Sequence, residues 1–295
     1  MFKKLEMGYH IVFIIGFISC IYLLLSLIYA LYPYLRGSGL KKYINNDAFA
    51  MVTGSTDGIG KAVAFELAEQ GSNIILHGRN EDKLNGVALE IKELFPARRV
   101  VCINHDGGKD SHMDTEIIDG LTINILVNNV GVGPIGQLRE FSNDEIAETI
   151  RLNATFPSQL TKDLLPHLSS QPSLILNVSS YAGIYPPPYL AVYSGTKAYN
   201  NAFSISLSRE LENIEVISLV TGSVNTGTNT KSITFMRPSA AKYAKHVVSV
   251  VGCGRKSIIP YWPHAIQHFL ISLLPEKIID YLTKKAMQKE LNQSV

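Results

Sequence analysis

A tyrosine and a lysine are four residues apart in the segment Tyr193-Ser194-Gly195-Thr196-Lys197. On a helix, residues i and i+4 face the same side, so the two side chains would lie together. A lysine ammonium near a phenol favours the phenolate and lowers the phenol pKa from about 10 toward working pH. Ser180 ends the upstream segment LILNVSS, and its hydroxyl could donate a hydrogen bond to a carbonyl oxygen. The three residues predict acid–base chemistry on a carbonyl/alcohol pair, with Tyr193 as the acid or base.

A glycine-rich segment, TGSTDGIG at 53–60, follows the first predicted strand, and a helix opens at Lys61. A pyrophosphate must approach the backbone closely at such a turn, and the helix N-terminus offers it unpaired N–H groups. The spacing is G-x-x-x-G-x-G, whereas the commoner dinucleotide fingerprint is G-x-G-x-x-G. Such a turn can also serve only as a strand-to-helix corner. The residues predicted to bind a dinucleotide cofactor are Gly54, Ser55, Thr56, Asp57, Gly58, Ile59 and Gly60.

Arg79 follows the second predicted strand, in His77-Gly78-Arg79-Asn80. An acidic residue at this place would accept hydrogen bonds from the ribose hydroxyls of NAD. A guanidinium is instead suited to a 2′-phosphate, so Arg79 favours NADP(H). The alternative is a solvated arginine on the surface.

From Asp47 onward, short β-branched runs alternate with longer amphipathic stretches, which is typical of a doubly wound sheet. The runs are mostly continuous in apolar residues, as expected for parallel strands covered on both faces. The predicted strands are 48–53, 73–77, 99–104, 123–128, 173–178 and 215–220. The predicted helices are 61–69, 81–94, 143–168 and 193–212. We therefore predict an α/β fold, a Rossmann-type doubly wound parallel sheet with an N-terminal transmembrane helix.

Residues 11–31 carry no charge. At about 1.5 Å per residue, a helix of this length spans a hydrocarbon core of roughly 30 Å. A secretory signal peptide is the alternative, but the apolar run is long for one. Tyr32-Pro33-Tyr34 also follows where a small-x-small cleavage site is expected. Lysines precede the run and basic residues follow it, so the charge balance leans only slightly toward a cytosolic catalytic domain.

These features divide the chain into three parts. We expect residues 1–45 to form a membrane anchor and linker, with the boundary between anchor and domain at Arg36-Gly37-Ser38-Gly39. Residues 46–260 form the Rossmann domain. Residues 261–295 form an extension through which substrate enters and which associates with the membrane. Its segment 262–274 is apolar but too short to span a bilayer.

The composition excludes several classes of protein. The 295 residues are 46% apolar and 18% charged with a formal charge of +2, so neither disorder nor a basic nucleic-acid surface is indicated. Three widely separated cysteines support neither a disulfide framework nor zinc binding. His264 and His268 are four residues apart with no third ligand nearby, so we expect them to be structural or interfacial, and we predict no metal site.

The motifs together resemble the short-chain dehydrogenase/reductase family. They are TGSTDGIG at 53–60, NNVG at 128–131, Asn153, Ser180, YSGTK at 193–197 and TGSVNT at 221–226. The resemblance implies that Tyr193 donates the proton in reduction and that Lys197 lowers its pKa and holds the nicotinamide ribose. It implies that Ser180 orients the carbonyl and that Asn153 anchors a water of the proton relay. Further cofactor contacts implied by position are Asp106 at the adenine, Asn129, Gly131, Val224 and Thr226.

The chain departs from the family pattern in two places. Thr221 stands where a proline is usual, although Gly222 and Thr226 remain and should keep the nicotinamide contacts. The segment between Asp106 and Ile123 is short, so the helix expected there should be reduced or lost.

Within the family, the chain is most similar to the branch of very-long-chain 3-oxoacyl-CoA reductases and 17-beta-hydroxysteroid dehydrogenases of types 12 and 3. This resemblance implies an NADPH-dependent ketone reductase of the endoplasmic reticulum membrane, single-pass, acting on 3-oxoacyl-CoA in fatty acid elongation. The implied partners are a lipid-like ketone (an acyl-CoA or a steroid), the bilayer, a second copy of the chain and other elongation-cycle enzymes. The alternatives are 17-ketosteroid or 3-ketosphinganine reduction, and a catalytically silent nucleotide-binding scaffold.

Two loops are expected to border the substrate. Tyr185-Pro186-Pro187-Pro188 follows Ser180, and Tyr181, Tyr185 and Tyr189 could wall an apolar channel. An ordinary rigid surface loop explains the same residues. Residues 227–237 are polar and irregular and would lie over the nicotinamide as a lid, or form plain surface.

Overall fold

The computed structural model describes residues 2–45, 47–168 and 171–291. The outer residues of the predicted C-terminal extension, 292–295, and the predicted first residue of the Rossmann domain, Asn46, lie outside the described residues. Within the described part of the chain, seven parallel strands form one sheet in the order β3-β2-β1-β4-β5-β6-β7. The strands are β1 Phe49–Thr53, β2 Asn73–Gly78, β3 Val100–Asn104, β4 Ile123–Asn128, β5 Ser173–Ser180, β6 Ile214–Thr221 and β7 Ser257–Ile258.

Helices follow most strands and cover both faces of the sheet. They are α1 Phe2–Leu35, α2 Gly58–Gln70, α3 Glu81–Leu94, α4 Asn143–Ile150, α5 Phe156–Leu168, α6 Ala191–Glu210, α7 Ala240–Ser249, α8 Trp262–Ser272 and α9 Glu276–Leu291. This confirms the predicted Rossmann-type doubly wound parallel sheet.

Alternate residues of each strand enter two separate cores. Val52 and Leu76 pack in one core, which includes residues of α2, α3 and α7. Met51 and Ile75 pack in the other, which includes residues of α5. Because successive side chains of a strand point to opposite faces, continuous apolar strands are buried on both sides.

The structure differs from the predicted elements at several places, and helix α7 has no counterpart among the predicted helices. The two-residue strand β7, paired with Ser218 and Leu219, has no counterpart among the predicted strands. Such a strand is too short to show a pattern of its own. The predicted helix 143–168 is interrupted at Arg151–Thr155 by a π-helical turn. Between β3 and β4 the expected helix is reduced to one turn at Glu116–Ile118.

Helix α1 is apolar and, over residues 9–25, exposed on all sides. Its portion Tyr9–Leu35 is long and apolar enough to cross a membrane, which makes it a candidate span. Its last turns contact the rest of the protein: the Arg255 guanidinium lies 3.5 Å from the centre of the Tyr29 ring, and Tyr34 donates a hydrogen bond to the Ile259 carbonyl.

The linker after α1 is docked on the domain. The Gly39 amide donates to the Val251 carbonyl at 2.8 Å, and Ser38 Oγ donates to the Val248 carbonyl at 2.6 Å. Leu40 is buried in the same core as the strands. The predicted linker is therefore held by hydrogen bonds to residues more than 200 positions away.

Candidate active site

The carboxyl ends of the central strands open into a cavity of about 430 Å³. Crevices at the carboxyl ends of parallel strands are the usual ligand sites of such sheets. The cavity brings together most of the predicted site residues. They are Gly54, Thr56, Asp57, Gly58, Ile59, Arg79, Asp106, Asn129, Gly131, Ser180, Tyr193, Lys197, Val224 and Thr226.

The glycine-rich turn between β1 and α2 exposes its backbone because its glycines have no side chains. Gly54 and Gly58 have φ values of 63° and 57°, which L side chains rarely adopt. At Gly60, a Cβ atom would clash with the Gly54 carbonyl and the Asn129 amide. Asp57 caps α2, and its carboxylate accepts a 2.6 Å hydrogen bond from the Gly58 amide. The turn therefore fits a pyrophosphate beside a helix N-terminus.

Two residues of the predicted cofactor set, Ser55 and Gly60, do not line this cavity. Ser55 is buried, and its hydroxyl donates to the His77 carbonyl at 3.2 Å and accepts from the His77 amide at 3.0 Å. It therefore ties the turn to β2. Gly60 is needed where α2 passes close to Asn129, whose amide donates to the Thr53 carbonyl at 3.0 Å.

The catalytic candidates come from β5 and α6. Lys197 is 4% exposed, and its Nζ donates a 2.7 Å hydrogen bond to the Val178 carbonyl. Burial lowers the pKa of Lys197 to about 8. Burial also raises the pKa of Tyr193, and the hydrogen bond between its hydroxyl and Ser180 lowers it in part.

That Lys197 lowers the pKa of Tyr193 stays a prediction, because burial is the main influence on the phenol in this structure. The Lys197 ammonium lies 5.7 Å from the centre of the Tyr193 ring and is directed to the carbonyl of β5. Burial of the phenol therefore dominates, and it stabilises the protonated hydroxyl.

Asn153 lies in the π-helical turn between α4 and α5 and is fully buried. Its Oδ1 accepts from the Val132 amide at 2.9 Å, and its Nδ2 donates to the Val132 carbonyl at 2.7 Å. A Cβ at Gly131 would come within 3.1 Å of Asn153 Oδ1 and 3.3 Å of Lys197 Nζ. Asn153 thus lies behind the cavity wall, and Gly131 lies close to both Asn153 and Lys197. π-Turns inside helices are frequent at functional sites.

Arg79 and Asp106 border the end of the cavity formed by β2 and β3. The Arg79 side chain is 66% exposed and its Nη1 lies 3.9 Å from Asp106 Oδ2. An exposed guanidinium at this end can meet a 2′-phosphate without losing a buried partner. The residues of the cavity therefore fit a phosphorylated dinucleotide.

The comparisons with known proteins agree with this geometry. Residues 48–237 match the family model of the short chain dehydrogenases. The chain belongs to the short-chain dehydrogenase family. It is an oxidoreductase related to ketone reductases, and the predicted family membership is confirmed.

The similar proteins in this family carry names that state different activities. A very-long-chain 3-oxoacyl-CoA reductase of Neurospora crassa is 31% identical, over 80% of this chain and 76% of the relative. Human 17-beta-hydroxysteroid dehydrogenase type 3 is 37% identical over 72% and 76%. Human inactive hydroxysteroid dehydrogenase-like protein 1 is 34% identical over 82% and 76%. A solved 7beta-hydroxysteroid dehydrogenase structure shares the fold, with a TM-score of 0.71 at 19% identity, covering 83% of this chain and 99% of that one.

Beyond the family motifs, the structure places an aromatic cluster at the base of the cavity that the sequence analysis missed. The rings of His77 and His105 both stack on Phe156, at centroid distances of 5.0 and 5.4 Å. His77 Nε2 lies 3.4 Å from His105 Nδ1, and burial lowers the pKa of His77 to about 3. His77 is the next-to-last residue of β2 and His105 directly follows β3, so the signal in the sequence is a histidine near the end of each of two neighbouring strands.

On the other side of the cavity, the loop after Ser180 packs against α8. Tyr181 donates to the His264 carbonyl, and the Tyr185 hydroxyl lies 2.9 Å from His268 Nδ1.

In the described residues no cluster of three metal-binding side chains is found. Thr221, in place of the family's usual proline, lies with its hydroxyl 2.8 Å from the Tyr243 hydroxyl.

Proposed function

We propose that this protein is a membrane-anchored, NADPH-dependent reductase that converts long-chain and very-long-chain 3-oxoacyl-CoA to 3-hydroxyacyl-CoA in fatty acid elongation. The observation that carries the proposal is that Ser180, Tyr193 and Lys197 line the same cavity as the glycine-rich turn and Arg79. The names of the Neurospora crassa relative and its counterparts support the acyl-CoA substrate.

The residues divide the work of reduction among them. NADPH, when bound, would supply a hydride for the carbonyl carbon of the substrate. The Tyr193 hydroxyl, kept protonated by its burial, donates its proton to the carbonyl oxygen. Ser180 donates a hydrogen bond to the same oxygen and orients it. Lys197 supplies a buried positive charge beside the phenolate that remains, and Asn153 would anchor the water that restores the proton.

A lipid-like substrate is supported by the apolar surfaces around the site. Residues 134–149 and 189–192, next to Tyr193, enclose a largely apolar cavity of about 270 Å³. Leu270 and Leu273, on α8 and just after it, are more than half exposed. Exposing an acyl chain to water is unfavourable, so a long-chain substrate partitions to the membrane. An enzyme held at the bilayer by α1 can bind such a substrate from the membrane surface.

The organelle and the assembly are part of the same proposal. We infer that α1 anchors the protein in the endoplasmic reticulum membrane with the catalytic domain in the cytosol, where the elongation-cycle partners would act. A homodimer belongs to this proposal as well. Cell fractionation, protease protection of the domain and cross-linking test these three points.

The decisive experiment measures NADPH oxidation by membranes containing the protein, with a long-chain 3-oxoacyl-CoA. Wild type should turn over, and Tyr193→Phe should lose about 10²- to 10⁴-fold in rate because the proton donor is removed. NADPH binding should persist in that variant. Tyr199→Phe is the matched control, since Tyr199 lies on the same helix with its hydroxyl 3.0 Å from Ser158.

The same assay also tests the alternative functions. The 37% identity to a 17-beta-hydroxysteroid dehydrogenase favours a 17-ketosteroid as the second candidate substrate. NADPH binding without turnover of acyl-CoA would move the assignment to a steroid ketone or 3-ketosphinganine. Binding without turnover of any ketone would favour a silent scaffold, as the inactive human relative suggests, despite the complete catalytic set.

A further inference from the structure

His264 lies in the first turn of α8 and is 1% exposed. It contacts three separate segments of the chain, one of which, at Gly222, lines the cavity. Its main-chain carbonyl accepts the hydroxyl hydrogen of Tyr181, next to Ser180. Its imidazole Nε2 lies 2.9 Å from the Met236 carbonyl, and its Nδ1 faces Gly222 so closely that a Cβ there would come within 2.5 Å.

Gly222 and Met236 lie at the two ends of one segment, residues 222–237, which we call the covering segment. Its first half crosses the cavity: Val224, Thr226 and Asn229 all line it. A Cβ at Gly58 would come within 3.2 Å of Thr226. The segment thus reaches across to the glycine-rich turn and forms the outer wall of the cofactor site.

The second half of the covering segment is held by α8 and the residue before it. The Tyr261 hydroxyl donates to the Phe235 carbonyl at 2.9 Å. Because a carbonyl only accepts, the 2.9 Å contact with Met236 requires that His264 Nε2 carry a hydrogen and donate it. The rings of Phe235 and Trp262 pack edge to face at 5.5 Å.

The other ring nitrogen has a different environment. Among the described residues His264 Nδ1 has no hydrogen-bond partner, although it is buried. Burial lowers the pKa of His264 and keeps the ring neutral, so Nδ1 presents a lone pair. The ring fills the space that the missing side chain of Gly222 leaves, with Nδ1 turned toward that residue.

We propose that His264 is a positioning residue that holds the covering segment closed over the cofactor site, by donating to the Met236 carbonyl while its ring supports Gly222. This inference rests on one part of the proposed function, that the cavity binds NADPH. It does not depend on which ketone is reduced. It gives the C-terminal extension a role in cofactor retention in addition to any contact with substrate.

The test compares two amides at this position. In His264→Gln, the side-chain amide reaches as far as Nε2 and can still donate to Met236. In His264→Asn, the amide ends near the position of Nδ1 and cannot reach that carbonyl. His268→Asn is the matched control, because His268 is one turn further along α8 and pairs with Tyr185, outside the covering segment.

Two readouts are used, and neither needs catalysis. The first is the rate of tryptic cleavage after Lys231, in the covering segment, followed by mass spectrometry without cofactor. The second is the dissociation constant of NADPH from a fluorescence titration. Loss of one buried hydrogen bond predicts about 5- to 10-fold faster cleavage and about 5- to 10-fold weaker binding in His264→Asn. His264→Gln and His268→Asn should stay within about twofold of wild type.

Wild-type cleavage and binding in His264→Asn would overturn the proposal. An equal loss in His264→Gln would also overturn it, because the donated hydrogen bond would then not matter. If the asparagine variant does not fold, His264→Phe replaces it, since the ring is kept and the donor removed. Failure of the acyl-CoA proposal leaves these readouts unchanged, so the two failures are distinguishable.

Discussion

Lys197 Nζ donates a 2.7 Å hydrogen bond to the main-chain carbonyl of Val178, two residues before Ser180 on β5. The main chain of the same lysine is also bound to β5, because Ser179 Oγ donates a 2.7 Å hydrogen bond to the Lys197 carbonyl. The lysine and the strand that carries Ser180 are therefore fixed to one another from both sides. The cost is that the ammonium is buried, which lowers the pKa of Lys197 to about 8.

This burial predicts a pH dependence of the reaction. A lysine with a folded-state pKa near 8 loses its charge as the pH rises through about 8, well below its ordinary value of 10.5. Since the free enzyme determines kcat/KM, this quantity for NADPH should fall above about pH 8, approaching tenfold per pH unit. Steady-state kinetics from pH 6 to 10 measure it. In Lys197→Arg the charge persists, and any activity that remains should lack this falling limb. A flat wild-type profile to pH 10 would contradict the assignment.

Arg79 should determine the choice between the two nicotinamide cofactors. Its guanidinium is largely exposed at the β2 end of the cavity, with Asp106 3.9 Å away. In Arg79→Ala the KM for NADPH should rise about 10- to 100-fold, because a charge-assisted contact to the 2′-phosphate is lost. The KM for NADH should change by less than about twofold, because NADH has no such phosphate. Lys83→Ala, on the exposed start of α3, is the control, and equal effects on both cofactors would refute this role.

Two glycines in helices should respond to alanine in opposite ways. At Gly60 a Cβ would clash with the Gly54 carbonyl, whereas at Gly86 nothing lies within 4 Å. Gly60→Ala should therefore abolish NADPH binding, because the turn must move out of its cradle conformation. Gly86→Ala should bind NADPH normally and gain about 0.4–1 kcal/mol in free energy of unfolding. Fluorescence titration and denaturant unfolding measure both. Normal binding by Gly60→Ala would show that the turn does not hold the pyrophosphate.

His77 should make the protein sensitive to acid. Its folded-state pKa of about 3 lies below the ordinary 6.5, so between these values the unfolded chain binds a proton that the folded protein does not. The stabilisation is fully present above about pH 6.5 and is lost as the pH falls, by roughly 2 kcal/mol between pH 7.5 and pH 5.

The comparison with His77→Phe isolates this effect. Phenylalanine keeps the ring stacked on Phe156 but does not titrate. Other buried histidines, such as His264, contribute equally to both proteins. The free energy of unfolding of the variant should therefore fall by roughly 2 kcal/mol less over the same pH range. Parallel slopes for wild type and His77→Phe would disprove the prediction.

The local features of this protein followed from its sequence. The strands were recognisable because parallel strands buried on both faces are continuously apolar. The glycine turn and the Tyr193/Lys197 pair were recognisable because a tight turn and a helical repeat involve only neighbouring residues. Most of the residues that the sequence singled out, from Gly54 to Thr226, line the cavity, whereas Ser55, Gly60 and Asn153 do not.

Tertiary packing decided the rest, because it depends on residues that are distant in the chain. The direction of the Lys197 ammonium depends on β5, and the burial that raises the Tyr193 pKa depends on the whole cavity wall. The linker at Ser38 is docked because its partner, Val248, comes 210 residues later. His264 and His268 are equivalent in the sequence, four residues apart on one helix. Only the folded chain brings His264 to Met236 and Gly222 and leaves His268 to Tyr185, since each partner lies 28 to 83 residues away.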